Sequence, residues 1–318
     1  MDYKILQKDI FSKSLKQVVI ENRELTKNDV NFILNPTNEY VENPYKLKNM
    51  FEATKLFMNE LEMESKIAIL VDSDTDGFTS SALMYLFLIN ECGYPKDKIE
   101  IIHHTKKMHG LSDEEVFKKI KNSDINFLII PDAATNDITE LKELMKIGKR
   151  ILVLDHHQMN DENQSTIFYD QNKGLIGVIV NNQLDEYSTD FSGVGVTYKF
   201  LNALTEDELV HYMDLVAIGN VADSMELNGY EIRYVVNKGL KNINNELIKE
   251  FMIDSKLEGS LTPTDVSFNI SNKINAVIRY GSVEEKTNLF RALIEEKEEI
   301  EYTPRKSKTN PNPTTEIQ

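Results

Sequence analysis

The chain has 318 residues, of which 41% are hydrophobic and 28% are charged, so it can bury a large core in one or two domains. Its formal net charge of −16 argues against a general polyanion binder, because phosphate contacts need lysine and arginine, but it allows a nucleic-acid enzyme with a local basic patch. Cys92 is the single cysteine, the N-terminus lacks a secretory signal, and no run approaches the ~18 apolar residues of a membrane span, so we expect a cytoplasmic protein.

Strand and helix signals alternate through the first part of the chain. Residues 1–60 are mostly polar and predict short helices, the best of them over Thr54–Leu61. Five apolar runs bounded by polar residues then predict strands at Ile67–Val71, Ile99–His103, Asn126–Ile130, Arg150–Leu154 and Ile176–Val180. Because helix-length segments separate these runs, we expect an α/β fold with a mostly parallel five-stranded sheet and helices on both faces.

The rest of the sequence predicts a smaller, mainly helical lobe. Its last helix is charged and is expected over Val283–Tyr302. The stretch after that helix has three prolines and no apolar periodicity, which is typical of disorder. We therefore divide the chain into a helical segment (1–60), a central α/β core (61–225), a helical lobe with a connector helix (226–302) and a disordered tail (303–318).

Carboxylates and histidines follow three of the predicted strands. They are Asp72, Asp74 and Asp76 after the first strand, Asp132 after the third, and Asp155, His156 and His157 at the end of the fourth. Because the carboxyl ends of parallel strands share one edge of a sheet, these side chains should converge. Clustered carboxylates are held together most easily by a divalent metal, although the first group alone also fits a solvated acidic turn. With imidazole and no thiolate the set suits Mn²⁺, and two ions ~4 Å apart would suit phosphoester hydrolysis.

Four motifs occur in this order along the chain: DSDTDG, the isolated Asp132, LDHH and VADS. They resemble the motifs of the DHH phosphoesterases, and within that family those of the RecJ branch of single-strand-specific 5′→3′ exonucleases. Four further segments, KKMHGLSD, IVNN, SGVGVTYKF and SNKINAVIR, also resemble the RecJ branch. The resemblance covers roughly residues 35–302, with the catalytic DHH portion at 61–225.

The resemblance implies a two-ion site that holds Mn²⁺, with Mg²⁺ as the alternative metal. In this assignment Asp74 ligates the first ion, Asp76 ligates the second, and Asp132 bridges both. His156 and Asp223 complete the second site.

Other residues have implied roles around the metals. Asp72 would tune the first site. Asp155 would orient His156 from outside the set of metal ligands, as carboxylates often do for ligating imidazoles. His157 would face the scissile phosphate. Arg279 with Lys273, and backbone donors at Ser192 and Gly193, would hold other phosphates of the strand, which makes these last four residues the predicted phosphate contacts.

The implied activity is hydrolysis of single-stranded DNA from the 5′ end to mononucleotides, in DNA repair and recombination; no motif that reads a base or a sugar distinguishes DNA from RNA. A single-strand-binding protein or a helicase is the expected partner, and a membrane is not. The alternative enzyme is a DHH phosphoesterase for short oligonucleotides, cyclic dinucleotides or pyrophosphate, but those branches carry a histidine where this chain has Leu70. A non-catalytic DHH scaffold is the third alternative, although every ligand position is filled.

Some positions depart from the RecJ pattern. Asn272, Lys273 and Ile278 replace a proline, an arginine and a glycine of the strand-binding motif, and Ala133-Ala134 replaces a small Cys-Gly pair. RecJ proteins also continue into a second nucleic-acid-binding domain, whereas this sequence ends soon after Tyr302. We expect either a truncated form or a chain that binds DNA weakly and distributively with its catalytic half.

Overall fold

The structure is a computed structural model that describes residues 12–161, 163–184, 187, 189–205, 207–296, 301–303 and 316–317. The α-helices within these residues are α1 (Leu15–Asn22), α2 (Lys27–Leu34), α3 (Met50–Glu62), α4 (Thr75–Asn90), α5 (Glu114–Asn122), α6 (Ile138–Lys146), α7 (Gly193–Asn202), α8 (Met213–Ala222), α9 (Tyr230–Lys241), α10 (Glu246–Asp254), α11 (Pro263–Asp265), α12 (Ser271–Tyr280) and α13 (Val283–Leu293), and a π-helix over Val266–Ile270 joins α11 to α12. The strands are β1 (Ile67–Val71), β2 (Ile99–His103), β3 (Phe127–Pro131), β4 (Arg150–Asp155), β5 (Ile167–Asp170), β6 (Gly174–Asn181), β7 (Glu301–Tyr302) and β8 (Glu316–Ile317). In the part of the chain described here, none of the helices combines the length and the apolar character needed to cross a membrane.

The main sheet has six strands in the order β2-β1-β3-β4-β6-β5. All neighbouring strands are parallel except β5, which pairs antiparallel with β6. The mostly parallel α/β class is confirmed, and the first two predicted strands match β1 and β2 in full. The predicted number of five strands is wrong, because β5 is a four-residue strand at the sheet edge whose short run gives little periodic signal.

Both faces of the sheet are buried. Ile67, Ile69 and Val71 of β1 pack into a core shared with α3, α4, α7 and α8. Ala68 and Leu70 point the opposite way, into a second core shared with α5 and α6. Because successive side chains of a strand alternate between faces, a strand covered on both sides is apolar throughout, which explains the uninterrupted runs in the sequence.

The later helices extend the first core. Apolar residues of α8, α9, α10, α12 and α13 belong to the same cluster as one face of the sheet, so a continuous core crosses the predicted boundary at residue 225. Within it, α7 and α8 pack against α4. This packing brings the VADS segment at the end of α8 close to the start of α4, which carries the DSDTDG segment.

The connector helix is shorter than predicted. Helix α13 ends at Leu293 instead of Tyr302, because Glu295 takes a left-handed conformation with φ 58° and the Glu296 N–H donates to the Arg291 carbonyl at 2.9 Å. This backbone geometry is a common helix terminator. Strands β7 and β8 pair antiparallel. Most of the segment predicted to be a disordered tail, residues 304–315 and 318, lies outside the described residues.

Candidate metal centre

Three neighbouring strands bring the candidate ligands to one edge of the sheet. Strands β1, β3 and β4 lie side by side, and Asp72, Asp132 and Asp155 stand at their carboxyl ends. Asp132 has φ 66°, which turns the chain out of β3, while its N–H still donates to the Leu154 carbonyl at 2.7 Å. The convergence expected from the strand order is therefore present.

Helix α4 begins inside the DSDTDG segment. Asp74 is its N-cap, and the Asp74 Oδ1 accepts the Gly77 N–H at 2.9 Å. The positive end of the helix dipole favours a carboxylate at this position. A Cβ on Gly77 would lie 2.6 Å from the Cβ of Asp72, so only glycine allows the helix to start this close to β1.

The start of α7 holds Asp76. The Asp76 carboxylate accepts the Gly193 N–H at 2.7 Å, the Val194 N–H at 3.1 Å and the Ser192 hydroxyl at 3.0 Å. The prediction that Ser192 and Gly193 offer donors to a substrate phosphate is therefore wrong, because a buried carboxylate already takes the Gly193 N–H and the Ser192 hydroxyl, and the Ser192 N–H donates to Asn220. Gly193 is needed here, since an added Cβ would lie 2.4 Å from Asp132.

Asp132 lies at the centre of the cluster with an unsatisfied oxygen. Its side chain is 2% exposed, and its Oδ1 accepts no hydrogen bond from any residue that the structure describes. That oxygen lies 3.3 Å from His156 Nε2, and the same nitrogen lies 3.5 Å from Asp223 Oδ2. A buried carboxylate oxygen without a donor, facing an imidazole nitrogen, is the arrangement that a bound cation would satisfy.

Burial and mutual repulsion raise the pKa of several carboxyls in the cluster. For Asp76 burial is the largest cause and raises the pKa to about 6, although the nearby His156 opposes the rise. The pKa of Asp132 lies well above its ordinary value because of burial and then the charges of Asp76 and Asp74. Burial also raises the pKa of Asp223. The charge of a divalent cation would offset this repulsion.

Three groups of side chains within the described residues have ligand atoms close enough to share an ion, within 4.8 Å of one another. They are Asp76, His156 and Asp223; Asp132, His156 and His157; and Asp72, Asp74 and His109. The first group matches three of the residues predicted for the second ion. Carboxylate and imidazole donors, together with the unsatisfied Asp132 oxygen, fit divalent cations.

The carboxylate of Asp155 orients a different histidine from the predicted one. Its Oδ1 lies 2.7 Å from the ring Nδ1 of His157, whereas it accepts only the backbone N–H of His156. The prediction that Asp155 orients the His156 ring is therefore wrong, because the turn after β4 brings the His157 ring to the carboxylate. The hydrogen bond with Asp155 raises the pKa of His157 to about 9. Although Asp155 is buried, its pKa lies well below its ordinary value, because the carboxylate is hydrogen-bonded to His157 and Thr135.

His109 is a residue of the site that sequence reasoning missed. Its Nδ1 lies 2.6 Å from the Oδ2 of Asp72, and the Asp72 Oδ1 accepts the Gly110 N–H at 3.1 Å. Hydrogen bonding to Asp72 raises the pKa of His109. The signal was within the KKMHGLSD segment, whose histidine precedes a glycine, but no local spacing relates it to Asp72. His104, by contrast, is buried beside Asp113 at 3.2 Å.

The two basic residues predicted to bind phosphate lie on α12. The Lys273 ammonium is bonded to the Asp254 carboxylate and to the Ser255 hydroxyl, and its contact to a phosphate stays a prediction. Arg279 is exposed and has no ion-pair partner among the residues that the structure describes. The backbone carbonyl of Ser271, the first residue of α12, accepts the Thr75 hydroxyl at 3.4 Å. Arg279 lies eight residues later, ~12 Å along the helix.

Comparison with known proteins agrees with this geometry. Residues 66–220, which contain β1–β6 and the aspartate and histidine motifs of those strands, match the family model described as "DHH family, N-terminal domain". This segment belongs to the DHH family. Asp223 lies three residues beyond the matched segment, so its place in the site rests on the structure.

The similar sequences in this family are RecJ-like. The chain is 31% identical over 313 residues to YorK, an SPbeta prophage-derived protein of Bacillus subtilis (strain 168) named provisionally as a single-strand DNA-specific exonuclease; the alignment covers 96% of this chain and 51% of YorK. It is 26% identical over 253 residues to the single-stranded-DNA-specific exonuclease RecJ of the same strain, covering 78% of this chain and 30% of RecJ. The chain thus spans about half the length of the first of these relatives.

Solved structures support the fold. A crystal structure of exonuclease RecJ bound to manganese superposes with a TM-score of 0.65 at 24% identity, covering 78% of this chain and 61% of that one. RecJ of Thermus thermophilus in complex with Mn²⁺ gives a TM-score of 0.63 at 24% identity, covering 79% of this chain and 35% of that one. At this identity the likeness establishes a common fold.

Proposed function

We propose that this DHH-family chain is a divalent-metal-dependent phosphodiesterase that degrades single-stranded DNA from its 5′ end to mononucleotides. The observation that carries the proposal is the convergence of Asp76, Asp132, His156 and Asp223 around a buried oxygen that has no hydrogen-bond donor among the described residues. The substrate class comes from similar proteins, which are named as single-strand DNA-specific exonucleases.

The proposed centre holds two ions, Mn²⁺ or in its place Mg²⁺. Asp76, His156 and Asp223 would hold one ion, Asp74 would hold the other, and Asp132 would bridge them. When bound, such a pair lowers the pKa of a water molecule and offsets charge on the reacting phosphate. The chain contributes a fixed frame for the ligands, because three donors at the start of α7 orient Asp76.

His157 is the proposed contact to the scissile phosphate. With a pKa of about 9 its ring is protonated near neutral pH, and Asp155 occupies one ring N–H. The remaining N–H can donate to a phosphate oxygen and stabilise the charge that develops during cleavage. Asp155, buried and ionised, fixes the ring orientation for this role.

Strand binding would use exposed basic residues near the sheet edge. The Lys106 carbonyl accepts the Ser73 hydroxyl at 3.4 Å, which places this segment against the DSDTDG turn, and the side chains of Lys106 and Lys107 are exposed. We assign phosphate contacts to these lysines and to Arg279. We retain 61–225 as the catalytic core and 226–302 as a supporting lobe, and infer a cytoplasmic role in DNA repair and recombination beside a single-strand-binding protein or helicase.

The test is a panel of substrates with purified protein and Mn²⁺. Single strands of DNA and RNA carry a label at the 5′ or the 3′ end, and dinucleotides, cyclic dinucleotides and pyrophosphate are assayed beside them. We expect labelled mononucleotide from 5′-labelled DNA at the earliest times, and a progressively shortened series from 3′-labelled DNA. Release of label from 3′ ends alone would reject the polarity.

Short oligonucleotides are the second candidate substrate. The observation in their favour is that two of the predicted strand contacts have other partners, since Lys273 is bonded to Asp254 and Gly193 is bonded to Asp76. Fewer phosphate contacts weaken binding to long strands. Faster turnover of dinucleotides than of long single strands in the same panel would favour this candidate.

A further inference from the structure

We propose that His109 is a nitrogen ligand of the divalent cation on the Asp74 side of the cluster, and that it makes this site prefer Mn²⁺ to Mg²⁺. The inference rests on the proposed metal centre and adds a residue that the four sequence motifs do not contain. In this proposal Asp72 orients the His109 ring and is not primarily a metal ligand itself.

The geometry of the Asp72–His109 pair is that of an oriented ligand. Asp72 is buried, and its Oδ2 lies 2.6 Å from the Nδ1 of His109. Histidines that bind metals almost always donate their other ring N–H to a carboxylate or a carbonyl, which fixes the ring and leaves the second nitrogen for the ion. One ring nitrogen of His109 and one carboxylate oxygen each of Asp72 and Asp74 lie within 4.8 Å of one another, so the ring stands at the Asp74 side of the cluster.

The segment that carries His109 is fixed on both sides. Asp72 Oδ1 accepts the Gly110 N–H at 3.1 Å, and Asp137 Oδ2 accepts the Leu111 N–H at 2.7 Å. Gly110 has φ 56°, and a Cβ there would lie 2.3 Å from the Asp137 carboxylate, so the close contact requires glycine. The His109 ring is therefore held in place before any ion binds.

Exposure separates His109 from a purely structural histidine. The His109 side chain is 52% exposed, so its outer nitrogen can be reached by an ion from solvent. His104, five residues earlier in the chain and also beside a carboxylate, is 1% exposed, as expected for a histidine that stabilises the fold. A half-exposed imidazole ring that is hydrogen-bonded to a buried carboxylate has the arrangement of a metal-binding histidine.

The ligand type leads to the metal preference. Without His109 the Asp74 side of the cluster offers carboxylate oxygens, which Mg²⁺ accepts as readily as Mn²⁺. An imidazole nitrogen suits first-row transition metals, whereas Mg²⁺ is bound mainly by oxygen and water. Removal of His109 should therefore weaken Mn²⁺ binding more than Mg²⁺ binding.

The experiment measures metal binding to the 318-residue chain by titration calorimetry without DNA. Mn²⁺ and Mg²⁺ are titrated into the wild type, His109→Ala and the control His211→Ala, which removes an exposed histidine paired with Glu91 away from the cluster. We expect His109→Ala to bind one Mn²⁺ at least ~10-fold more weakly, with Mg²⁺ affinity nearly unchanged and His211→Ala like the wild type. His109→Gln, which keeps the bulk of the side chain, should show the same loss.

Two results would overturn the proposal. Unchanged Mn²⁺ affinity in both His109 variants would show that the ring is not a ligand. An equal loss for Mn²⁺ and Mg²⁺ would show that it acts through charge or loop position. Because no DNA is present, a chain that binds Mn²⁺ through His109 yet degrades no single strands would contradict the proposed function alone.

Discussion

Replacing Asp155 by asparagine should return the pKa of the His157 ring from about 9 towards its ordinary value of 6.5. Asp155 is buried, and its Oδ1 lies 2.7 Å from the His157 Nδ1, so the ionised carboxylate stabilises the charged ring. Asparagine keeps an oxygen that can accept the His156 N–H but removes the negative charge. Its amide nitrogen replaces the Oδ2 that accepts the Thr135 N–H at 2.9 Å, so the substitution also has a pH-independent cost, and only the pH-dependent part of its effect reports the electrostatic interaction.

The energy follows from the same values. A rise from 6.5 to about 9 corresponds nominally to ~3 kcal/mol, but the side chain is 51% exposed and solvent screening reduces this to ~1 kcal/mol. The raised pKa of His157 stabilises the fold fully below pH 6.5, and this contribution is lost as the pH rises through about 9. The lowered pKa of Asp155 stabilises the fold above its ordinary value of 3.8 and loses that effect in acid.

The assay is an NMR titration of labelled histidine in the presence of a chelator, with urea unfolding in parallel. The resonance that disappears in His157→Ala identifies the ring. In the wild type it should titrate near pH 9, and in Asp155→Asn closer to 6.5. The loss in the free energy of unfolding should be ~1 kcal/mol larger near pH 6 than near pH 10. A wild-type ring that titrates near 6.5, or a variant ring that still titrates near 9, would refute the reasoning.

Three further substitutions test other parts of the structure. Gly193→Ala should weaken Mn²⁺ binding measured by calorimetry, because its Cβ would lie 2.4 Å from Asp132, the proposed shared ligand. The control Gly229→Ala, whose Cβ would have no neighbour closer than 3.4 Å, should not weaken it, and equal effects would remove the steric explanation. Lys199→Met should lower the free energy of unfolding in urea by ~3–5 kcal/mol, because it leaves the Glu231 charge unpaired in the core. A loss below ~1 kcal/mol would show that the Lys199–Glu231 pair is not buried in solution. His157→Ala should keep the affinity for Mn²⁺ while lowering the turnover of single-stranded DNA, and a matching loss of Mn²⁺ affinity would make this histidine a ligand.

The sequence was sufficient to predict the parts of this protein that depend on local pattern and on chain topology. Strand β1 matches its prediction residue by residue, because an apolar run bounded by polar residues fits a strand buried on both faces. The meeting of Asp76, Asp132 and His156 follows from parallel strands sharing one edge. The short edge strand β5 could not be predicted, since its four residues carry too little periodic signal.

Contacts between distant segments could not be predicted. His109 pairs with Asp72 across 37 residues, and Ser192 reaches Asp76 across 116, and neither separation has a local signature. The N–H groups at the start of α7 indicate a phosphate site when only the sequence is considered, because a helix N-terminus attracts any anion. The anion is in fact a carboxylate of the protein, and only the packing of α7 against α4 decides this.

The most direct test of the metal centre compares wild-type protein with Asp132→Ala on 5′-labelled single-stranded DNA in Mn²⁺. Loss of the shared ligand should abolish release of labelled mononucleotide, while the melting temperature in chelator stays the same or rises, because a buried like charge is removed. The wild type should release the label only when a divalent metal, Mn²⁺ or Mg²⁺, is present. Near wild-type release by Asp132→Ala in Mn²⁺ would contradict the account.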